Sequence, residues 1–271
     1  MEKETGSLNL LINYMDRMTE LFLSESWPES KEETDSKIVA IARARTLATL
    51  RELDGIRKGT LVRFLKEARL LKVIGLANAD LRGADLEGMD LRQINLSRAD
   101  LQFASLSRAD FENCNLYFSK LEHANLNKAN LKKANLEGAS FWSANLKEAN
   151  LSSAYLFWTS FYDADLSEAD LSFTEVSSEC LRGAKLRSSI LFETNLARAK
   201  ELKPEQIEGE NHPWMCRTRL PKKLREMNIH ENRDCDQMPT VLSNRYIGLS
   251  IEKAQQMVNE LQSPIDYRDF D

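Results

Sequence analysis

Cysteine is scarce in this chain, with four residues among 271, and no two of them are close in sequence. Domains stapled by disulfides carry a denser set of cysteines, and structural zinc sites carry paired CxxC motifs. Neither pattern is present, which excludes a disulfide framework as the source of stability. We therefore predict reduced thiols, as in a cytoplasmic protein, at Cys114, Cys180, Cys216 and Cys235.

Long apolar runs are also missing. The N-terminal segment, MEKETGSLNLLINYMDRM, is acidic at its start and is interrupted by Asp16 and Arg17. No stretch approaches the roughly 18 uncharged apolar residues that a membrane-spanning helix needs. The sequence therefore predicts no export signal, no membrane insertion and a location in the cytoplasm.

Histidine, the commonest residue for proton transfer and metal binding, occurs three times. His123 falls at a turn of the repeats described below, where a solvated surface residue is expected. No glycine-rich phosphate loop and no HExxH motif is present, so we predict that the protein is not an enzyme and needs no cofactor. One metal-like pattern, HxxxC followed by HxxxxC, is formed by His212, Cys216, His230 and Cys235. Its spacings differ from those of structural zinc sites, so we favour ordinary loop residues and predict no metal.

What the sequence has in abundance is leucine at a fixed spacing. Between Leu76 and Leu196 there are twenty-five positions in steps of five, and all but four are Leu. The exceptions are Phe111, Phe141, Phe161 and Val176. A five-residue period makes no apolar face on an α-helix, and it sends successive side chains to opposite faces of a flat strand.

Each five-residue unit reads small, polar, Leu, polar, polar, and the small residue is Ala in fifteen of the twenty-five units. Two-residue alternation points the small residue and the Leu the same way, and the two remaining polar residues suit a turn. A chain of such units winds around an axis with every Leu inside. The period therefore predicts a solenoid in which each coil stacks on its neighbours.

The stretch ANLKKANLEGASFWSANLKEANL matches the consensus A(D/N)LXX, and residues 74–199 resemble the pentapeptide-repeat family through it. The resemblance implies a mainly β fold, a right-handed quadrilateral β-helix with four units per coil and about six coils. The aromatic residues support this coil length. Phe141 and Phe161 lie twenty residues apart inside, and Trp142 and Tyr162 lie twenty apart outside, as stacking in adjacent coils requires.

Both flanks of the repeats are predicted to contain helices, which divides the chain into three parts. Residues 1–73 form a helical capping region, residues 74–199 the β-helix, and residues 200–271 a C-terminal capping segment and tail. The segment ARARTLATLRELDGIRKGTLVRFLKEARLL resembles the helical lead-in of many cyanobacterial pentapeptide-repeat proteins, and LKPEQIEGENHPW resembles their exit segment. Whether the flanks cover the open ends of the solenoid or move freely is left open at this point.

Helical spacing predicts three N-terminal helices and one near Ser250 to Leu261. The first has Ser7 as its N-cap and an apolar face of Leu8, Leu11, Ile12, Met15, Met18 and Phe22. The second covers residues 35–53, with Ala40, Ile41, Ala44, Leu47 and Ala48 on one side. The third has Thr60 as its N-cap and the face Leu61, Phe64, Leu65, Ala68 and Leu71. Glycine, which commonly ends helices, marks their expected ends at Gly55, Gly59 and Gly75.

One repeat departs from the pattern. Glu179 stands at an inward position that is otherwise small, beside the only Val centre, Val176. Burial of an unpaired carboxylate is costly, so the sequence predicts a local bulge there, with Arg182 or Lys185 nearby. We favour an irregular coil over a functional pocket.

Basic side chains are concentrated just before the repeats. Residues 37–72 carry ten basic and three acidic side chains, whereas residues 1–36 carry three basic and nine acidic ones. The basic segment is a candidate anion-binding surface formed by Arg43, Arg45, Arg57, Lys58 and Arg63. A solvated helix face that pairs with the acidic segment is the favoured interpretation.

The family resemblance also implies one known activity, because some members mimic DNA and inhibit DNA gyrase. A mimic needs a dense row of negative charge, since DNA carries one charge per roughly 1.7 Å of its axis. Residues 74–199 carry thirteen basic residues among seventeen acidic ones, so their charges largely cancel. Binding of nucleic acid is not expected, and a role connected with it stays the alternative function.

Aromatic side chains at outward positions supply the candidate partner site. It comprises Trp142, Phe157, Trp158, Tyr162 and Arg182. Aromatic and arginine side chains are the usual anchors of protein interfaces. The alternatives are that they only stack along the solenoid or pack against another part of the chain. The sequence thus favours a non-enzymatic scaffold for protein interactions, with the partner and the oligomeric state unknown.

Overall fold

The computed structural model describes residues 2–23, 37–178, 180–199, 201–227, 229–246 and 248–260. Four helices precede the repeats: α1 (Glu2–Phe22), α2 (Lys37–Glu52), α3 (Gly55–Glu67) and α4 (Leu71–Ile74). The later elements are β1 (Ile190–Phe192), α5 (Pro204–Ile207), β2 (Trp214–Cys216), α6 (Lys222–Glu226), α7 (Met238–Arg245) and α8 (Ile251–Glu260). Glu179, where the sequence predicts a bulge, lies outside the described residues.

The repeat region is a ladder of parallel single-residue bridges between residues twenty apart. Asp80 pairs with Asp100, Asp100 pairs with Lys120, and the series continues to Asn195. The N–H of Leu81 donates to the carbonyl of Asp100 at 2.8 Å, and the N–H of Asp100 donates to the carbonyl of Ala79 at 2.9 Å. The backbone of each five-residue unit is thus hydrogen-bonded to the unit twenty residues later.

The β structure takes the form of these short bridges, so the strand content is low, and only β1 and β2 are named strands among the described residues. The turns explain the difference from the mainly β fold that we predicted. Two residues of each unit form a turn, and the second has a positive φ, for example +62° at Asn78 and +60° at Lys128. A residue in the left-handed region ends an extended segment, so each side of the solenoid stays short.

The interior is filled as the leucine spacing predicts. All the central positions from Leu76 to Leu196 are buried, including the four that are not Leu. The rings of Phe141 and Phe161 stack with their centroids 5.0 Å apart, as their separation predicts. Burial of each such side chain stabilises the fold by roughly 1.5–3 kcal/mol before the loss of conformational entropy is subtracted.

Helix α3 covers the first repeats and docks on them through two glycines. A Cβ atom on Gly55 or Gly59 would lie within 2.0 Å of a backbone oxygen of the repeats. The N–H of Asp85 donates to the carbonyl of Gly55 at 3.1 Å. The ammonium of Lys58, a residue only 4% exposed, lies 2.6 Å from a carboxylate oxygen of Asp80. Helix α3 is therefore in direct contact with the first repeats.

Two predictions about the ends of α3 are wrong. The N-cap is Asp54, whose carboxylate accepts a backbone N–H of the first turn at 3.0 Å, while Thr60 lies inside the helix. Gly55 and Gly59 begin and continue α3, because close approach to the repeats, and not helix termination, requires glycine there. Gly75, with φ +65°, does end α4 as predicted.

Helices α1 and α2 are present, and the predicted face of α1 is confirmed in part, because Leu11 and Met18 are buried. Ser7 lies within α1, and Leu8 and Ile12 are nearly half exposed. The helix instead turns Tyr14 inward, where its hydroxyl lies 2.7 Å from the hydroxyl of Thr46 in α2. The spacing of apolar residues in the sequence does not reveal a polar pair of this kind. The buried residues of α2 are likewise not the predicted side but Val39, Ala42, Thr46, Thr49 and Leu50.

The C-terminal segment extends the ladder beyond residue 199, where we placed the end of the repeats. Strands β1 and β2 pair in parallel with Ile190 opposite Trp214, and Asn195 bridges to Arg219. Helices α7 and α8 pack together, and Met238, Leu242 and Ala254 bury against the side chains of β1 and β2. The position of α8 agrees with the helix predicted near residues 250–261.

The prediction of four reduced thiols is wrong for two of them. Cys216 in β2 and Cys235 before α7 form a disulfide, with their Cα atoms 4.7 Å apart despite a sequence separation of 19 residues. Backbone contacts bring the two segments together: the N–H of Asp234 donates to the carbonyl of Met215 at 3.1 Å, and the N–H of Met215 donates to the Asp234 carboxylate. The sequence pattern does not show these contacts. Cys114 and Cys180 are buried free thiols. None of the described helices is long and apolar enough to cross a membrane.

Candidate functional site

The turns of the solenoid decide which side chains face solvent. The second turn residue adopts a positive φ, which costs least for Gly, Asn or Asp and most for bulky residues. Several aromatic residues nevertheless occupy this position, among them Phe103 with φ +59° and Trp158 with φ +56°. Their side chains are 56% and 62% exposed, so burial does not offset the cost of the backbone conformation.

Four of the five residues predicted to bind a partner line one surface groove, with a volume of about 720 Å³. They are Phe157, Trp158, Tyr162 and Arg182. The remaining lining residues are Thr159, Ser160, Ser177, Ser178, Cys180 and Arg198. The groove thus combines three aromatic rings, four aliphatic hydroxyl groups and two guanidinium groups. We call it the aromatic groove.

Contacts inside the aromatic groove hold its side chains in place. The rings of Phe157 and Trp158 lie with centroids 4.7 Å apart at an angle of 39°. The guanidinium carbon of Arg182 lies 5.4 Å from the centroid of the Tyr162 ring, in the range of a cation–π contact. Burial raises the pKa of the Cys180 thiol to about 12, so this sulfur stays protonated at neutral pH.

Trp142, the fifth predicted residue, does not line the groove, and its ring faces the other way along the solenoid. Its centroid lies 5.0 Å from that of His123, which stacks in turn on Phe103 at 5.0 Å. His123 is exposed, as predicted, but is also part of this aromatic stack, which the sequence analysis missed. The turn of Trp142 still adjoins the groove, because the N–H of Ser143 donates to the carbonyl of Tyr162.

Further aromatic residues near the groove also escaped the sequence analysis. The ring of Tyr155, 55% exposed, lies 6.4 Å from that of Phe157. Phe118, 44% exposed, covers Gly138, where a Cβ atom would lie 2.8 Å from the Phe118 ring. Phe118, Gly138 and Trp158 are twenty residues apart, so a twenty-residue register, had it been applied to turn positions, would have identified this column.

Two of the candidate anion-binding residues are engaged in ion pairs. Lys58 is buried in its ion pair with Asp80, and Arg57 pairs with Asp54. Arg43 and Arg45 lie on α2, and Arg63 lies on α3. A different basic cleft, of about 630 Å³, lies between the helical cap and the repeats, and its charged lining residues are Lys66, Arg69, Lys72, Asp90, Arg92 and Glu112.

Acidic groups within and beside this second cleft take up much of its positive charge. Arg92 donates to both carboxylate oxygens of Asp90 at 2.9 and 3.0 Å, and Lys66 lies 3.6 Å from the same group. The hydrogen bonds from Arg92, with the charge of Lys66, hold the pKa of Asp90 well below its usual range. Arg92 also lies 3.5 Å from Asp110. Two of the four cations that line the cleft, Lys66 and Arg92, are therefore already paired with carboxylates.

Opposite charges also pair along the repeats, which weakens the case for a DNA mimic. Three such ion pairs are Lys128–Glu148 at 3.3 Å, Lys147–Glu168 at 3.1 Å and Lys185–Asp165 at 3.5 Å. In each pair, the ammonium group lies beside a carboxylate of the neighbouring coil. At these three places on the described surface, a cation interrupts the negative charge, whereas a phosphate backbone presents an unbroken row of it.

The two cysteines of the HxxxC and HxxxxC pattern in the C-terminal segment have a structural role. Cys216 and Cys235 are bonded to each other, and His212 lies 3.9 Å from the carboxylate of Asp234. Within the described ranges, no group of three or more His, Cys, Asp or Glu side chains is arranged to hold a metal ion. The Asp234 carboxylate instead accepts the N–H of Met215 at 2.8 Å, which fastens the segment before α7 to β2.

Comparison with protein families gives one clear match. The sequence model described as pentapeptide repeats matches the chain eight times, over residues 76–113, 114–152, 134–172 and 149–187. Among curated protein sequences there is no match.

Several solved structures are similar to the chain. HetL, a pentapeptide repeat protein involved in heterocyst differentiation regulation in Nostoc sp. strain PCC 7120, shares 28% identity over 54% of this chain and 66% of its own, with a TM-score of 0.35. Rfr23 of Cyanothece 51142 shares 25% identity over 39% of this chain and 85% of its own, with a TM-score of 0.26. QnrB1, a plasmid-mediated fluoroquinolone resistance protein, shares 17% identity over 56% of this chain and 86% of its own, with a TM-score of 0.33. The chain thus spans just under two thirds of HetL.

Proposed function

The repeat region of this chain belongs to the pentapeptide-repeat family, and from that premise we propose that the protein is a non-enzymatic scaffold that binds a protein partner. The observation that carries the proposal is the aromatic groove. Phe157, Trp158, Tyr162 and Arg182 were selected from the sequence as interface anchors, and they line the same groove. Aromatic and arginine side chains clustered in a concave surface are typical of interface hot spots.

Rigidity supports this role. The groove lies on turns that are held by backbone hydrogen bonds to the next turn, such as the one from Phe161 to Cys180 at 2.7 Å. Exposed side chains on such a frame lose little conformational freedom when a partner binds, so more of the contact energy appears as affinity. Trp142 belongs to the proposed surface as its outer member, one turn from Tyr162.

The finer description of the fold is part of the same proposal. We take the solenoid to be a right-handed quadrilateral β-helix of about six coils, which at about 4.8 Å per coil is roughly 30 Å long. The three parts of the chain, residues 1–73, 74–199 and 200–271, keep the roles of cap, shaft and C-terminal cap. We also place the protein in the cytoplasm, a compartment in which a disulfide such as Cys216–Cys235 is rare.

The experiment is capture of partners from an extract of the native cells on the purified full chain. Wild type is compared with the double variant Trp158→Ala, Tyr162→Ala and with the control Phe103→Ala. Phe103 is a suitable control because it is an exposed aromatic residue at the same position of the repeat unit. It lies 55 residues before Trp158, which is nearly three coils earlier. Bound proteins are identified by mass spectrometry at low and high salt.

We expect the groove variant to lose proteins that wild type and Phe103→Ala both retain, in high salt as well as low. Apolar contacts survive salt that screens exposed charges. Identical sets of bound proteins for wild type and the groove variant would contradict the proposal. Nucleic acid in the eluate, lost in high salt, would favour the alternative function instead.

A further inference from the structure

The Cys216–Cys235 disulfide joins two parts of the C-terminal segment and lines a surface pocket of about 480 Å³ beside α8. We propose that this pair is a thiol–disulfide exchange site, at which a dithiol reductant attacks Cys235 and thereby loosens α7 and α8 from the solenoid. This inference goes beyond the proposed function and does not depend on the aromatic groove.

The two residues of the disulfide differ in burial. Cys216 in β2 is fully buried, whereas Cys235 is partly exposed. Both line the pocket together with Gln255 and Val258 of α8. Exchange begins when a thiolate contacts a disulfide sulfur, so the rate of attack depends on access to that sulfur. The geometry therefore favours attack at Cys235, with Cys216 as the leaving thiol.

Two exchange steps reduce the pair. In the first, a thiolate of the reductant attacks the Sγ atom of Cys235, the bond between the two protein sulfurs breaks, and Cys216 leaves as a thiolate that takes up a proton. In the second, the other thiol of the reductant loses its proton and attacks the reductant sulfur of the mixed disulfide, and Cys235 leaves and is protonated. Two electrons pass to the protein, and the dithiol becomes a disulfide.

The disulfide belongs to a small apolar cluster of its own. Cys216 packs there with Met238 and Leu242 of α7 and Ala254 of α8, and Cys235 lies against the same cluster. The central leucines of the solenoid belong to a separate, larger cluster. Cleavage of the disulfide therefore loosens the cluster that holds α7 and α8, while the leucine column keeps its contacts.

Contacts next to the disulfide make the change reversible. Asp234, the residue before Cys235, donates its N–H to the carbonyl of Met215 at 3.1 Å and accepts the N–H of Met215 on its carboxylate at 2.8 Å. These bonds do not involve sulfur, so they hold Cys235 close to Cys216 after reduction. An oxidant of the disulfide class then re-forms the same bond by the reverse exchange. In the reducing cytoplasm proposed above, disulfides are usually transient and redox-sensing.

Trapping of the mixed disulfide on the full, oxidised chain tests the site of attack. The probe is a CxxC oxidoreductase whose second cysteine is replaced by serine, which blocks the second exchange step. After acid quenching, we expect about tenfold more mixed disulfide at Cys235 than at Cys216, as located by mass spectrometry of proteolytic fragments. With the chain unfolded in guanidinium chloride and glutathione as the probe, the two sulfurs should react about equally, because the difference in burial is lost.

Limited digestion with trypsin, followed by mass spectrometry, tests the effect on α8. We expect cleavage after Lys253, an exposed residue of α8, to be about fivefold faster in the reduced chain than in the oxidised one. Cleavage after Arg63, an exposed residue of α3, is the matched control and should not change. Reoxidation should restore slow cleavage after Lys253. The double variant Cys216→Ser, Cys235→Ser, verified as folded by circular dichroism, should be cleaved like the reduced chain and should not respond to the reductant.

Three outcomes would overturn the inference: a mixed disulfide that forms mainly at Cys216, exchange that occurs only after unfolding, or equal cleavage after Lys253 in the oxidised and reduced chains. Reduced glutathione is also compared with the intact CxxC oxidoreductase at equal thiol concentration. We expect the dithiol to reduce the pair about tenfold faster, because its second step is intramolecular. Equal rates would overturn the assignment to a dithiol. Partner capture at the aromatic groove tests the scaffold function separately, so failure of one proposal leaves the other standing.

Discussion

Whether a side chain in this solenoid is buried or exposed depends on which of the five positions of the repeat unit it occupies. The central and small positions face the core, while the turn positions face solvent unless another element covers them. Asp170 shows the exception, because it lies at an outward position and is fully buried. Burial raises the pKa of its carboxyl group, although the backbone N–H of Ser172 donates to it at 2.8 Å and the charges of Arg245 and Lys132 act in the other direction.

We predict that Asp170→Asn stabilises the protein at neutral pH by about 1 kcal/mol, since the variant removes a buried charge. The pKa of Asp170 is raised in the folded state. The free-energy cost of burying its charge is therefore absent below the ordinary pKa of about 3.9 and grows as the pH rises through the folded pKa. The gain should therefore disappear near pH 3.5. Chemical unfolding at both pH values measures it.

Asp165→Asn is the matched control, with the opposite sign. The pKa of Asp165 is lowered: burial acts against the shift, but hydrogen bonds from Ser167 and the charge of Lys185 exceed it. The Asp165 carboxylate therefore stabilises the fold above the ordinary pKa, and its removal should cost a few tenths of a kcal/mol at pH 7. Equal effects of the two variants would contradict our assignment of buried and exposed sides.

At the scale of elements, the existence of the helices followed from the sequence better than their contacts did. Apolar spacing predicted α1, α2, α3 and α8, but gave the wrong side for α2, because Thr46 is buried through a hydrogen bond and not through apolar character. Glycines in α3 were taken as helix ends because a single sequence does not distinguish termination from close packing. Helix α3 docks through close contact between its glycines and the backbone of the repeats, and amino-acid composition does not reveal such a contact.

Gly59→Ala tests that contact. Alanine normally stabilises a helix interior by about 1 kcal/mol over glycine, yet here its Cβ would lie 2.0 Å from the carbonyl oxygen of Asp85. We predict a net loss of about 1–3 kcal/mol as α3 moves away from the repeats. Thermal unfolding should show the loss. Gly6→Ala in α1, where nothing lies within 4 Å, should be neutral or stabilising, and an equal loss there would refute the docking argument.

The disulfide is an element-scale feature that fastens the α7–α8 pair to β2. Its closure of the segment between Cys216 and Cys235 contributes roughly 3 kcal/mol in the chain-entropy model. Reduction should raise hydrogen exchange in α7 and α8 while residues 76–190 keep their protection. Alkylation of the chain in intact cells, with mass spectrometry, then tests its location: a persistent disulfide would contradict a reducing cytoplasm.

At the scale of the whole molecule, the five-residue period predicted the solenoid and its buried column. The stacking of Phe141 on Phe161 followed from the twenty-residue coil that the family resemblance implies. The groove was predictable in part. Three outward aromatic residues and Arg182 were predicted and line it, but Arg198 was missed and Trp142 does not line it. Which side chains line the groove depends on the lateral offset between turns that are twenty residues apart. Backbone geometry sets this offset, and the repeat pattern in the sequence does not reveal it.

The central claim is that the partner lies in the aromatic groove, and site-specific photo-crosslinking tests it most directly. A benzophenone amino acid replaces Ser177, which lines the groove, or Ser153, an exposed turn residue elsewhere on the solenoid. After irradiation in native extract, we predict a crosslinked partner from position 177, sensitive to Trp158→Ala, and none from position 153. Equal crosslinking from both positions, or crosslinking at 177 that ignores Trp158→Ala, would contradict the account.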